Sequence, residues 1–401
     1  MKNEPNVVER NVPGSRRIEV VDALRGLALF AIVVVHCCEH YNLYYIPENY
    51  PSWLTALDKG IWDAVWFLMA GKAFSAFSLL FGFSFYVQSR NAEMRGIPFR
   101  GRFVWRMVLL ALFSQLHSLF YNGDILLLYA VMGLFLVSVS RLSTRTLLIL
   151  ASILILQPIE WVRICCYLCD IPFFEYGDNW MTYAAFAKPV MESGNFWEVV
   201  RSNITYGQLY GNLWQIENGR ICQIGGLFLF GLVAGRLSLF ENRPESIARW
   251  KQTTLWSAVA FVPLYVLRVA YPGMVGDDRA LLMPLDIAIP SICNFLFMCF
   301  LAGCFVLLWY DRGAGYKFQR MFIPFGRMSL TNYILQSIIG VSLFYGFGLN
   351  LYQYTGATVC LLIAIGMFMV MQPASRLWLA NHRQGPLEWL WKKLTWLNVG
   401  K

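Results

Sequence analysis

Residues 22–36 read DALRGLALFAIVVVH: Asp22 and Arg25 open a run of ten uncharged residues that a histidine, His36, closes. Ionisable groups within an apolar helix are costly in lipid, so they call for partners, water or a task. In a helix, Arg25 and His36 fall within about 20° of one face and stand about 16 Å apart. Asp22 lies one turn below Arg25, within reach of an ion pair. His40 carries the His36 face onward. Two other segments bring polar groups to the same two depths. In LHSLFYNGDILLLYA, His117 and Asp124 flank a short turn; in GRMSLTNYILQSIIG, Arg327 precedes Asn332 and Gln336, which sit one turn apart. Lys72 is a further cation inside an apolar stretch.

The chemistry these types suggest differs between the two depths. An imidazole beside a carboxylate suits a general base, because its pKa starts near 6.5 and the carboxylate orients it. Arginines suit phosphates, which they bind bidentately. An acyl-CoA has phosphates at one end, a thioester at the other and a long arm between. The expected catalytic set is therefore His36, His117 and Asp124. Asp22, Arg25, His40, Lys72, Arg327, Asn332 and Gln336 are the expected donor and substrate contacts. Direct transfer and an acyl-histidine intermediate both fit. Blander roles stand beside these: Asp22 and Arg25 can snorkel to the interface, and Asn332 and Gln336 can tie helices together. No metal is expected: Cys166 and Cys169 form a C-x-x-C beside Cys165, without a second ligand pair.

The elements that must position these residues are membrane helices. Hydrophobic residues make up 57% of the 401, and only 14% are charged, against roughly a quarter in soluble domains. The apolar runs predict an all-α polytopic membrane protein of about ten spans: 20–38, 61–88, 103–121, 124–140, 146–164, 221–240, 252–271, 284–310, 328–349 and 356–376. These divide the chain into a polar segment 1–19, a first transmembrane half 20–164, an outer connection 165–220 with interfacial helices, a second half 221–376, and a tail 377–401. No cleavable signal is evident before the first span. With both termini in the cytoplasm, 24 Lys and Arg fall in inner segments and six in outer ones, which is the positive-inside bias. The net charge of +9 is thus topological, and nucleic acid is not an expected partner. The aromatic run FFEYGDNWMTYAAF in the outer connection fits an interfacial belt better than a sugar-stacking surface.

RRIEVVDALRGLALFAIVVVH, GDILLLYA and GRMSLTNYILQSIIG…FYGFGLNLY…QGPLEWLWKKLTW together resemble the YeiB family, whose C-terminal half is the domain of unknown function 418. The resemblance covers nearly the whole chain, and the family is similar to transmembrane acyltransferases. These include the acyltransferase-3 proteins and heparan-alpha-glucosaminide N-acetyltransferase. It implies an Arg–His pair ten residues apart on the first catalytic helix, here Arg25 and His36. It also implies an acyl-CoA (acetyl-CoA) co-substrate, a carbohydrate or other envelope acceptor at the outer face, and a bacterial cytoplasmic (inner) membrane location. Membrane lipid is an expected partner and a homodimer is compatible with the sequence. The competing readings are a small-molecule transporter or exporter using the same polar stripe, and a non-catalytic sensor or scaffold. Pro263, Pro284 and Pro290 interrupt spans only in the second half, which does not favour an inverted-repeat transporter.

Overall fold

The computed structural model describes residues 17–47, 50–172, 179–313 and 315–396. Among them every regular element is helical and there is no strand. In chain order these are α1 (Glu19–His36), α2 (Ser52–Leu68), α3 (Lys72–Glu93), α4 (Arg100–Ser118), α5 (Leu126–Val139), α6 (Thr144–Ile155), α7 (Pro158–Leu168), α8 (Asn179–Ser193) and α9 (Phe196–Ser202). There follow α10 (Gln208–Glu217), α11 (Arg220–Arg236), α12 (Pro244–Val275), α13 (Arg279–Asp311), α14 (Tyr316–Arg320), α15 (Ile323–Arg327), α16 (Ser329–Phe344), α17 (Ala357–Asn381) and α18 (Pro386–Thr395). The segments 1–16 and 397–401 and the residues FFEYGD of the aromatic run lie outside the described residues.

Among the described residues five helical segments are long and apolar enough to cross a membrane: Glu19–Tyr41, Ser52–Glu93, Pro244–Val275, Arg279–Asp311 and Ala357–Asn381. The pair α6 and α7 makes a sixth if its 52° bend is counted within one span. Two expected spans are therefore not single straight helices. The run expected at 61–88 extends over Ser52–Glu93 and is interrupted at Met69–Gly71, where Gly71 takes φ +77°. That left-handed conformation costs glycine little, so the chain can stop one helix and start another within the apolar run. The run expected at 146–164 bends at Gln157, which is itself left-handed at φ +58° and donates to the Gly219 carbonyl at 3.0 Å and to Ser291 at 3.1 Å.

Burial explains which helices are short. α11 has 17 residues, of which those from Cys222 to Leu229 are all buried; a helix surrounded by protein need not match the thickness of the hydrocarbon layer. α12 is the opposite case, with Leu255, Trp256, Val259, Val262, Val266 and Val269 exposed along its length, as a lipid-facing helix requires. Close packing rests on reciprocal glycines. A β-carbon on Gly26 of α1 would fall on the Phe322 carbonyl, and one on Gly326 of α15 would fall on the Asp22 carbonyl. Likewise Gly82 of α3 meets the Phe228 carbonyl of α11, and Gly231 of α11 meets the Leu79 carbonyl of α3. Small residues allow backbone approach of this kind where lipid supplies no hydrophobic drive.

The connection 165–220 holds more helix than a surface loop needs. α9 and α10 are joined by a wide π-type turn, Asn203–Gly207, and together they dock on the α4–α5 turn. Asn203 donates to the Leu119 carbonyl at 3.1 Å, Gln215 donates to the Asp124 carbonyl at 2.8 Å, and Gly211 abuts the Asn122 carbonyl.

Candidate functional site

α1 carries its first-turn acids, Glu19 and Asp22, at the positive end of the helix. Its other end widens into a π-type turn over Cys37–Tyr41, a feature frequent at functional sites. The turn stacks the His36 and His40 rings with centroids 5.3 Å apart. His40 Nδ1 lies 3.5 Å from the Glu39 carboxylate, close enough for an ion pair when the imidazole is protonated. Tyr44 donates to the other oxygen of Glu39 at 2.6 Å. Burial and the Glu39 charge push the Tyr44 phenol well above its ordinary pKa, so it remains a donor.

His36, Glu39, His40 and Tyr44 line a cavity of about 460 Å³. Its roof comes from α8 and α10, with Lys188, Tyr210, Trp214 and Gln215. Lys72, Asn294, Arg268, Tyr271 and Asp286 line the same space from the break before α3 and from α12 and α13. Arg220 completes the wall, its guanidinium 4.4 Å from the Phe74 ring, 5.3 Å from Trp214, and hydrogen-bonded to Gln223 at 2.7 Å. Three of the expected residues, His36, His40 and Lys72, thus share one cavity.

The other seven do not line it. His117 and Asp124 do form the expected pair, Nδ1 to Oδ1 2.7 Å, but His117 is only 1% exposed. Asp124 also accepts from Ser114 Oγ and from the Leu126 backbone at 3.1 Å. The dyad stands behind Tyr121 and Tyr333, whose rings lie 5.6 and 6.5 Å from His36 and 5.5 and 5.4 Å from His117. At the N-terminal end of α1 Asp22 is bonded by Arg17 and by Arg25 at 3.2 Å, and Arg25 also donates to Ser84 at 2.8 Å. Arg327 donates to the Arg383 carbonyl at 3.1 Å. Asn332 has the helix-tying role, donating to the Phe325 carbonyl at 3.1 Å and to Ser375 at 3.0 Å. Gln336, one turn on, is fully buried with neither amide atom hydrogen-bonded. Arg25 and Arg327 both lie within electrostatic reach of Asp22 and Arg17 at the N-terminal end of α1, and each also hydrogen-bonds within the protein.

Sequence reasoning passed over Glu39, Arg220, Arg268, Asp286, Tyr121 and Tyr333. Glu39 had a signal, since it stands between two histidines in HCCEH. The tyrosines had none, being a few among 20. Among the described residues no group of three His, Cys, Asp or Glu could hold a metal, and all ten cysteines are free, Cys165 and Cys169 being exposed.

The family described as a protein of unknown function (DUF418) matches residues 234–398. The chain is 30% identical to the uncharacterized protein YxaH of Bacillus subtilis, across 96% of this chain and 95% of that one. It is 26% identical to the uncharacterized protein YeiB of Escherichia coli, across 97% of each chain. An uncharacterized 39.9 kDa protein from the amylase 3' region of Bacillus acidopullulyticus is 24% identical across 95% of this chain and 94% of its own. No solved structure matches at a significant level. Likeness to these relatives over nearly the full length of each shows that the chain, with its apolar helices, belongs to the YeiB/YxaH (DUF418) family of membrane proteins.

Proposed function

We propose that the protein is a membrane acyltransferase that moves an acyl group from an acyl-CoA to a carbohydrate or other envelope acceptor. The observation that carries this reading is His36, stacked on His40 in the wall of a cavity of about 460 Å³, a size suited to a small substrate or part of one. In the transfer, His36 takes the proton of the acceptor hydroxyl or amine as that atom bonds the thioester carbonyl carbon. The carbon–sulfur bond then breaks, and the imidazolium returns the proton to the departing thiolate. Glu39 beside His40 stabilises positive charge on the stacked pair as it forms. The His117–Asp124 dyad supports the wall through Tyr121 and Tyr333 rather than touching substrate.

The same reading places the chain in a bacterial cytoplasmic membrane with about ten spans and both termini inside. His36 then lies toward the outer face, and the acyl donor enters from the cytoplasmic side. Purified protein in nanodiscs, given radiolabelled acetyl-CoA and a cell-envelope extract, is expected to release CoA and label an extract component. CoA release with no labelled product, or uptake of solute into proteoliposomes without CoA, would instead favour hydrolysis or the carrier reading.

A further inference from the structure

The charges around the cavity do not balance. Lys72, Lys188, Arg220 and Arg268 line it, against the carboxylates Glu39 and Asp286. Both carboxylates already have donors, Tyr44 to Glu39 and Tyr271 to Asp286. Lys72 is only 5% exposed, and its ammonium, which has three protons to give, donates to the Trp66 carbonyl at 3.1 Å. Arg268 makes no hydrogen bond or ion pair among the described residues and lies close enough to Lys72 for the two to repel. Asp286 is the carboxylate lining this side, so two cations face one anion there, and intramembrane cations of this kind mark ligand pathways.

The backbone adds to the same field. α3 begins at Lys72, directly after the left-handed Gly71, and has no side-chain cap. Gly71, Lys72, Ala73 and Phe74 all face the cavity, so the positive end of a 22-residue helix opens onto it. Asn294 sits against Gly71 with its side-chain NH2 nearest, a donor that makes no hydrogen bond among the described residues and is available to an anionic ligand. Two converging cations and a helix N-terminus suit a dianion better than a single carboxylate, and a phosphoryl group carries about −1.5 to −2 at neutral pH.

We infer that the α12–α13 side of the cavity, formed by Lys72, Arg268, Asn294 and the start of α3, binds a phosphoryl group of the acceptor. The acceptor is thereby a phosphorylated molecule whose neighbouring hydroxyl or amine is presented to His36. This assignment rests on the acyl-transfer reading for what lies at His36, while the phosphoryl site itself stands on charge and geometry. The phosphoryl group can come from a lipid headgroup or from a soluble phosphate ester, and the two are separable.

The test uses the full chain in nanodiscs, reads thermal stabilisation, and adds acyl donor only in its third arm. One arm compares glucose 1-phosphate with glucose; a second compares discs containing phosphatidic acid with discs of phosphatidylcholine; a third compares acetyl-CoA with acetyl-pantetheine. Stabilisation by the phosphorylated member of the first or second pair is expected, with the dissociation constant rising about tenfold or more in Arg268→Gln. Arg268 is half-buried on a helix whose neighbours face outward, so this variant is expected to fold even if Lys72→Met does not. The site is overturned if phosphorylated and neutral probes behave alike, or if Arg268→Gln binds as the parent does. If charge dependence appears only in the acetyl-CoA arm, the anion belongs to the donor and the acceptor assignment falls. Phosphate binding that persists while no acyl transfer is ever detected overturns the transfer reading and leaves the site standing.

Discussion

Replacing His36 by alanine removes an imidazole from the cavity wall without exposing a buried carboxylate, since among the described residues its side-chain hydrogen-bonding contact is the Tyr41 hydroxyl at 3.4 Å. The expected outcome is a loss of CoA-thioester turnover by roughly 10²–10⁴-fold, with the thermal midpoint in detergent nearly unchanged. Asp124→Ala should do the reverse. It strips partners from His117, Ser114 and the Leu126 backbone in a site closed to solvent, and breaking such a buried pair costs about 3–5 kcal/mol. A lowered melting temperature checks it; full stability with lost activity would move the dyad into the catalytic machinery. The sequence made His36, His40 and Lys72 legible because an ionisable group in an apolar run is conspicuous wherever it points. It could not separate a histidine that faces a cavity from one sealed behind tyrosines. That difference is set by partners from α10 and α16, distant in the chain.

The pairs α1–α15 and α3–α11 are held at contact distance by glycines. Gly231→Ala places a methyl on the Leu79 carbonyl, and Gly26→Ala places one on that of Phe322. Backbone cannot yield as a flexible side chain can, so each variant should destabilise by about 1–3 kcal/mol. Gly366→Ala, with open space around its β-position on α17, serves as the control and should be neutral or slightly stabilising. Equal melting temperatures for all three would refute the glycine contacts. Hydropathy found the apolar runs but not the interruption at Met69–Gly71, because glycine and methionine leave mean hydropathy high. Only the left-handed φ at Gly71 reveals that α3 starts inside the run. That break places Lys72 and the helix N-terminus against the cavity, so the feature that pattern reading smoothed over is one that shapes the site.

For the molecule as a whole, the positive-inside count and the packing of the outer helices can be tested together. α8 and α10 roof the cavity, and α10 with the π-type turn before it docks on the α4–α5 turn, so they share a side of the membrane with that turn and with His40. The charge bias assigns that side to the exterior, while the α11–α12 connection carrying Arg243 is inside. Native cysteines provide the probe: Cys165 and Cys169 are exposed just ahead of the outer helices, whereas Cys37, Cys38, Cys222, Cys293 and Cys360 are buried. A membrane-impermeant maleimide applied to intact spheroplasts should label the chain, and Cys165→Ser with Cys169→Ser should abolish most of that labelling. In that background Arg243→Cys should react only after permeabilisation. The opposite pattern would invert the topology and put His36 at the cytoplasmic face. An acyl donor would then meet the imidazole without crossing the membrane, and the Arg25–His36 separation would lose its proposed use.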